Sequence, residues 1–91
     1  MKLQLFISRL IRNIEKKIGK KQTLEMLDVN RVTVYRWKNN YYELSIDQLE
    51  NICRVAADVL GHDLRSLFID GLMCIMDDRL NKKNEELIEE L

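Results

Sequence analysis

The amino-acid sequence predicts an all-α protein, and three observations lead there. Proline is absent and glycine occurs three times in 91 residues, so few residues interrupt helices. Apolar residues recur at steps of three and four over long stretches, the period of a helix with one buried face. Alternating runs of β-branched residues, which mark strands, are scarce. A hydrophobic fraction of 46% supplies the apolar surface for one core of packed helices.

The first helix is expected over about Leu3 to Ile18, where Leu3, Ile7, Leu10, Ile14 and Ile18 fall on one face. Gly19 supplies its stop, and Lys16 and Lys17 lie in its last turn, where the helix dipole favours cations. A second, short helix is expected from about Gln22 to Leu27, with Leu24 and Leu27 inward and Thr23 near its start. Asp28-Val29-Asn30 makes a turn, because Asp and Asn tolerate backbone conformations that other residues avoid. Asn30 then caps a third helix over about Arg31 to Lys38, which buries Val34 and Trp37.

Asn39-Asn40-Tyr41-Tyr42-Glu43-Leu44 reads as a loop, in which Tyr41 and Tyr42 either pack locally or serve a dimer contact. Ser45 with Gln48 three residues later forms a capping box for a fourth helix that runs to about Leu60. Its inward residues are expected to be Ile46, Leu49, Ile52 or Cys53, Ala56 and Val59, with Gly61 at its end. Asp63 caps a short fifth helix containing Leu64, Leu67 and Phe68. A last helix follows from Asp70, with a candidate break near Asn81. Its residues Met73, Met76, Leu80, Leu87 and Leu91 keep steps of three, four and seven. The chain therefore divides into a domain over 1–69 and a C-terminal helix over 70–91, whose apolar stripe has no obvious partner within the chain.

The formal net charge of zero conceals an asymmetry. Residues 1–40 carry ten Lys and Arg against three acids, a net of +7, and residues 41–91 carry five against twelve, a net of −7. Such a split suggests that one half meets a polyanion, unless the two halves are ordinary solvated surface. Cys53 and Cys74 sit in apolar surroundings far from any CxxC spacing and read as small buried hydrophobes in a reducing compartment. No stretch has the length of a membrane span, and Arg9 and Arg12 interrupt any signal-peptide reading of the first residues, so a cytoplasmic protein is expected. No Gly-rich phosphate loop, paired histidines or activated nucleophile suggests an enzyme, and no cofactor or metal is expected. His62 reads as a loop surface residue.

The stretch from Lys20 to Asn39 has the pattern of a helix-turn-helix, whose second helix enters the DNA major groove. Leu24-x-x-Leu27-x-Val29 is followed by Val34-x-x-Trp37. After them come Ser45-Ile46-Asp47-x-Leu49-x-x-Ile52, Ala57-Asp58-Val59-Leu60-Gly61 and Leu64-x-x-Leu67-Phe68. On these residues the chain, up to Phe68, resembles the lambda repressor/Cro-like (Xre) helix-turn-helix domain. It departs from that pattern at Leu24, where the family has a small residue, at Asp28, where it has Gly, and at Lys20, where it often has Gln.

The resemblance implies a five-helix DNA-binding domain followed here by the C-terminal helix. Arg31, Val32, Tyr35 and Arg36 are the candidate base-contacting residues: the arginines would make bidentate bonds to guanine and Val32 would meet a thymine methyl. The alternative is that the arginines are merely solvated and that Val32 and Tyr35 fill gaps. By the family pattern, Lys20, Lys21, Gln22, Thr33, Lys38, Asn39 and Asn40 would bond phosphate oxygens, which position a protein without reading sequence. The expected function is a sequence-specific DNA-binding transcriptional regulator, phage-like in size. Its partners would be double-stranded DNA and a second copy bound through residues 70–91. The alternative is an antitoxin or anti-repressor, a protein-interaction module that uses the same fold and binds a protein partner through the acidic, apolar tail.

Overall fold

The computed structural model describes residues 2–39 and 44–90, with side chains described as far as Asn81. Asn40, Tyr41 and Tyr42 of the expected loop lie outside the described residues. The described residues form five helices and no strand: α1 (Lys2–Ile18), α2 (Lys20–Leu27), α3 (Arg31–Lys38), α4 (Ile46–Leu60) and α5 (Leu64–Glu90). The all-α expectation holds.

Capping residues set most boundaries. Asn30 accepts the Thr33 N–H at 2.8 Å and starts α3. Ser45 and Gln48 form the reciprocal capping box at the start of α4. The Asp63 carboxylate accepts the backbone N–H and the hydroxyl of Ser66 at the start of α5, and these bonds hold its pKa below the usual carboxylate value. Gly19 is the whole connection between α1 and α2, and its φ of 85° lies in the left-handed region open to glycine. The helix it starts is longer than expected, beginning at Lys20 rather than Gln22. One turn in, fully buried Thr23 donates its hydroxyl to the Gly19 carbonyl at 2.7 Å, and that bond removes the cost of burying a polar group. Thr23 thus takes the inward position expected of Leu24, which is only half-buried.

The core gathers Leu3, Ile7, Leu10, Ile11 and Ile14 of α1, Leu27 of α2, Val34 and Trp37 of α3, and Leu49, Ile52, Cys53, Val55 and Ala56 of α4. Ile52 and Cys53 are both fully buried, so the α4 stripe is wider than the single position expected. Burial, and secondarily the charge of Asp70, push the Cys53 thiol up to about 11. Ile46 departs from expectation: as the first residue of α4 it is 51% exposed.

The largest correction concerns the tail. The expected short fifth helix and separate C-terminal helix are one continuous helix of 27 residues, which crosses residues 69–70 and Asn81 without a break. Gly71 in its middle is buried against Leu49 and Phe6, and Leu72, Cys74 and Ile75 pack on the core. Asp78 then accepts the backbone N–H groups of Lys2 and Leu3 at 2.9 and 3.1 Å, so a residue of α5 caps the start of α1. Lys2 adds an ion pair to Asp77 at 3.1 Å. Residues 70–78 therefore belong to the same packed body as α1 and α4. Periodicity missed this because α5 carries apolar residues on two faces, which cancel any single-face signal.

Candidate nucleic-acid interface

α3 is anchored by one side and open on the other. Val34 and Trp37 are 4% and 2% exposed, three residues apart on the inner face. Arg31, Val32, Tyr35 and Arg36 occupy the rest of the circumference and are all exposed, Val32 at 57% and Tyr35 at 59%. Trp37 is thus a core residue rather than a stacking platform. The four residues expected to read bases share one outward surface, with two fixed cations, a methyl-bearing side chain and a phenol on it.

The turn before α3 is held from three sides. Asp28 ends α2 in the left-handed conformation, at φ 55°. The Asn51 side chain on α4 donates to the Leu27 carbonyl at 2.9 Å, satisfying one of the acceptors left over at the end of α2. Val29 packs on the core. These contacts fix where α3 begins, so its outward face is presented by a rigid element.

The residues expected to contact phosphate separate into two groups. Lys20, Lys21 and Gln22 form the first turn of α2 and are exposed, and no hydrogen bond or ion pair among the described residues occupies their side chains. Lys20 and Lys21 share with Arg31 and Tyr35 a cleft of about 540 Å³ between α1, α2 and α3, where cations of α2 and α3 converge and the Glu15–Lys38 pair forms part of the lining. The second group is already engaged. Lys38 places its ammonium 3.1 Å from both carboxylate oxygens of Glu15, with the two side chains 14% and 12% exposed. Its charge ties α3 to α1 instead of standing free for a phosphate. The Thr33 hydroxyl donates to the Asn30 side chain at 3.0 Å, and the Asn39 amide donates to the Tyr35 carbonyl at 2.8 Å, so both serve the ends of α3. Asn40 lies outside the described residues.

Sequence reading passed over the outer face of α1. Arg9, Arg12 and Lys16 are exposed there at steps of three and four, and Lys17 is exposed beside Lys16. The signal is that spacing, which runs opposite the buried stripe of the same helix. With Glu15 paired to Lys38, the exposed charge of α1 from Arg9 to Lys17 is entirely positive and leads into Lys20 and Lys21. Among the described residues no group of three or more His, Cys, Asp and Glu is placed to hold a metal ion. No described helix is long and apolar enough to cross a membrane.

No family model, curated protein or solved structure matches the chain.

Proposed function

We propose that the protein is a sequence-specific DNA-binding transcriptional regulator that inserts α3 into the major groove and acts as a dimer on a near-palindromic operator. One observation carries the reading: α3 buries Val34 and Trp37 and leaves Arg31, Val32, Tyr35 and Arg36 exposed together on a rigidly mounted face. A helix is about 10–12 Å across with its side chains, which matches a major groove about 12 Å wide. Arginine, a small apolar side chain and a hydrogen-bonding aromatic are the chemical types that read base edges. The convergence of Lys20, Lys21 and Arg31 on the cleft beside α3 supplies phosphate neutralisation next to the reading surface. The resemblance to the Xre helix-turn-helix pattern points the same way.

A dimer would set two recognition helices about 34 Å apart, one turn of the duplex. The deciding experiment is a binding selection on genomic fragments with the wild type beside an Arg31→Ala/Arg36→Ala variant. One near-palindromic motif enriched by the wild type and lost in the variant is the expected result. With about five phosphates neutralised, log affinity for that motif should fall against log salt with a slope of about −4 to −5. A slope near zero, or equal loss of affinity for every duplex in the variant, removes specific readout.

A second reading, an antitoxin or anti-repressor that chiefly binds a protein, is favoured by one observation: Ile69, Met73, Met76 and Leu80 on α5 are all about half exposed. Truncation after Phe68 is a poor test, since it also removes Gly71, Leu72 and Ile75 from the core. Polar substitution of Met73, Met76 and Leu80 leaves the core intact. Under this second reading it abolishes partner binding, while the wild type shows no preference among DNA fragments.

A further inference from the structure

The geometry points to antiparallel pairing of α5 with α5 of a second copy, about a two-fold axis level with Cys74 and Ile75. The proposal rests on the dimer reading above and specifies its surface and direction. On α5, Gly71, Leu72, Cys74 and Ile75 face the chain's own core, while Ile69, Met73, Met76 and Leu80 stand outward at 47%, 55%, 59% and 53% exposure. The outward residues are spaced four, three and four apart, the seam spacing of paired helices. That spacing reads the same in both directions. An antiparallel copy therefore places Ile69 opposite the second Leu80 and Met73 opposite the second Met76, and every outward apolar residue finds another. This is the self-complementarity that a two-fold interface requires.

Charge decides between the two directions. α5 continues past Asp78, its last contact with α1, and carries Glu85, Glu86, Glu89 and Glu90 in its final turns. In a parallel pair those acids lie level with the same acids of the other copy, and Lys82 and Lys83 with the same lysines. In the antiparallel register, residue 85 lies level with Leu64, where α5 of the second copy begins, and residues 86–90 run past that end of the helix. The two acidic stretches are thus set at opposite ends of the pair, and juxtaposed like charges are avoided.

The test uses the full chain. Sedimentation of the wild type establishes whether a dimer exists. Leu80→Cys alone and Leu80→Cys mixed with Ile69→Cys are then oxidised and compared on non-reducing gels, with the wild type as baseline for Cys53 and Cys74. Antiparallel pairing holds the introduced thiols of two Leu80→Cys chains eleven residues, about 16 Å, apart along the helices, so the single variant stays uncrosslinked and the mixture crosslinks. Crosslinking of Leu80→Cys with itself overturns the direction and leaves the dimer standing. A wild type that stays monomeric overturns both the pairing and the dimer, without touching the assignment of α3 to DNA. A charge variant gives an independent sign. Glu85, Glu86, Glu89 and Glu90 changed together to Gln relieve no repulsion in an antiparallel dimer and should leave its dissociation constant within about threefold. Tighter association of that variant overturns the proposal.

Discussion

Helices α3 and α5 both leave a broad face uncovered, and the two faces are chemically opposite. α3 has eight residues, two of them in the core, and shows solvent two arginines, a valine and a tyrosine. α5 has 27 residues, packs one face along α1 and α4, and shows solvent a file of Ile, Met, Met and Leu. A short helix with so small a buried stripe is stable only because its neighbours hold it. Here the Glu15–Lys38 pair, the Asn30 cap and the Trp37 anchor do so. A cationic, aromatic surface on a rigid mount suits a polyanion, whereas an ordered apolar file suits another protein helix. The two uncovered faces thus lie on two helices whose mountings differ.

The sharpest break of that comparison is at the anchor of α3. Trp37→Ala should cost about 3–5 kcal/mol by opening a cavity in the core, seen as a lowered midpoint in urea unfolding. Arg36→Ala, one residue away on the exposed face, should change stability by less than about 0.5 kcal/mol while lowering operator affinity. Equal destabilisation by both would show that the exposed face of α3 is structural.

The inner face of α5 gives the next largest effect. A methyl at Gly71 would lie 2.8 Å from the Cδ1 of fully buried Leu49 and 3.2 Å from the Cε1 of Phe6. Gly71→Ala should therefore destabilise by about 1–2 kcal/mol net, since the better helix propensity of alanine offsets part of the overpacking. Met73→Ala on the outer face should leave the monomer's thermal midpoint unchanged and loosen the dimer.

Asp78 joins the two regions at the start of α1. Asp78→Ala strips the cap from the Lys2 and Leu3 N–H groups and should cost about 0.5–2 kcal/mol, read in the same unfolding assay. The smallest effect is a gain. Asp28 holds φ 55° without being glycine, so Asp28→Gly should stabilise by about 0.5–1 kcal/mol. It also removes a negative charge from the turn before α3, so operator affinity should rise, most visibly at low salt.

Much of this architecture was legible beforehand because its signals are local. The stops at Gly19 and Gly61, the caps at Asn30, Ser45 and Asp63, and the inward pairing of Val34 with Trp37 are each set by residues within one helical turn. The exposure of Arg31, Val32, Tyr35 and Arg36 followed from the same reasoning, since they lie on the side of α3 away from Val34 and Trp37. The engagement of Lys38 was not legible. Whether a surface cation is free depends on what another helix brings to it, and Glu15 lies 23 residues from Lys38.

The all-α class, the boundaries of α3 and α4, and the placing of a cationic half before an acidic one were settled by composition, spacing and capping chemistry. Packing alone decided that Thr23 is buried and that residues 70–78 complete the core. It also decided that Asp78 closes the start of α1 and that one file of α5 is left outward. The reason is range: a cap or a helical stripe is written in neighbours three or four residues apart. A helix with two apolar faces shows which face it buries only when the helices that cover it are in place.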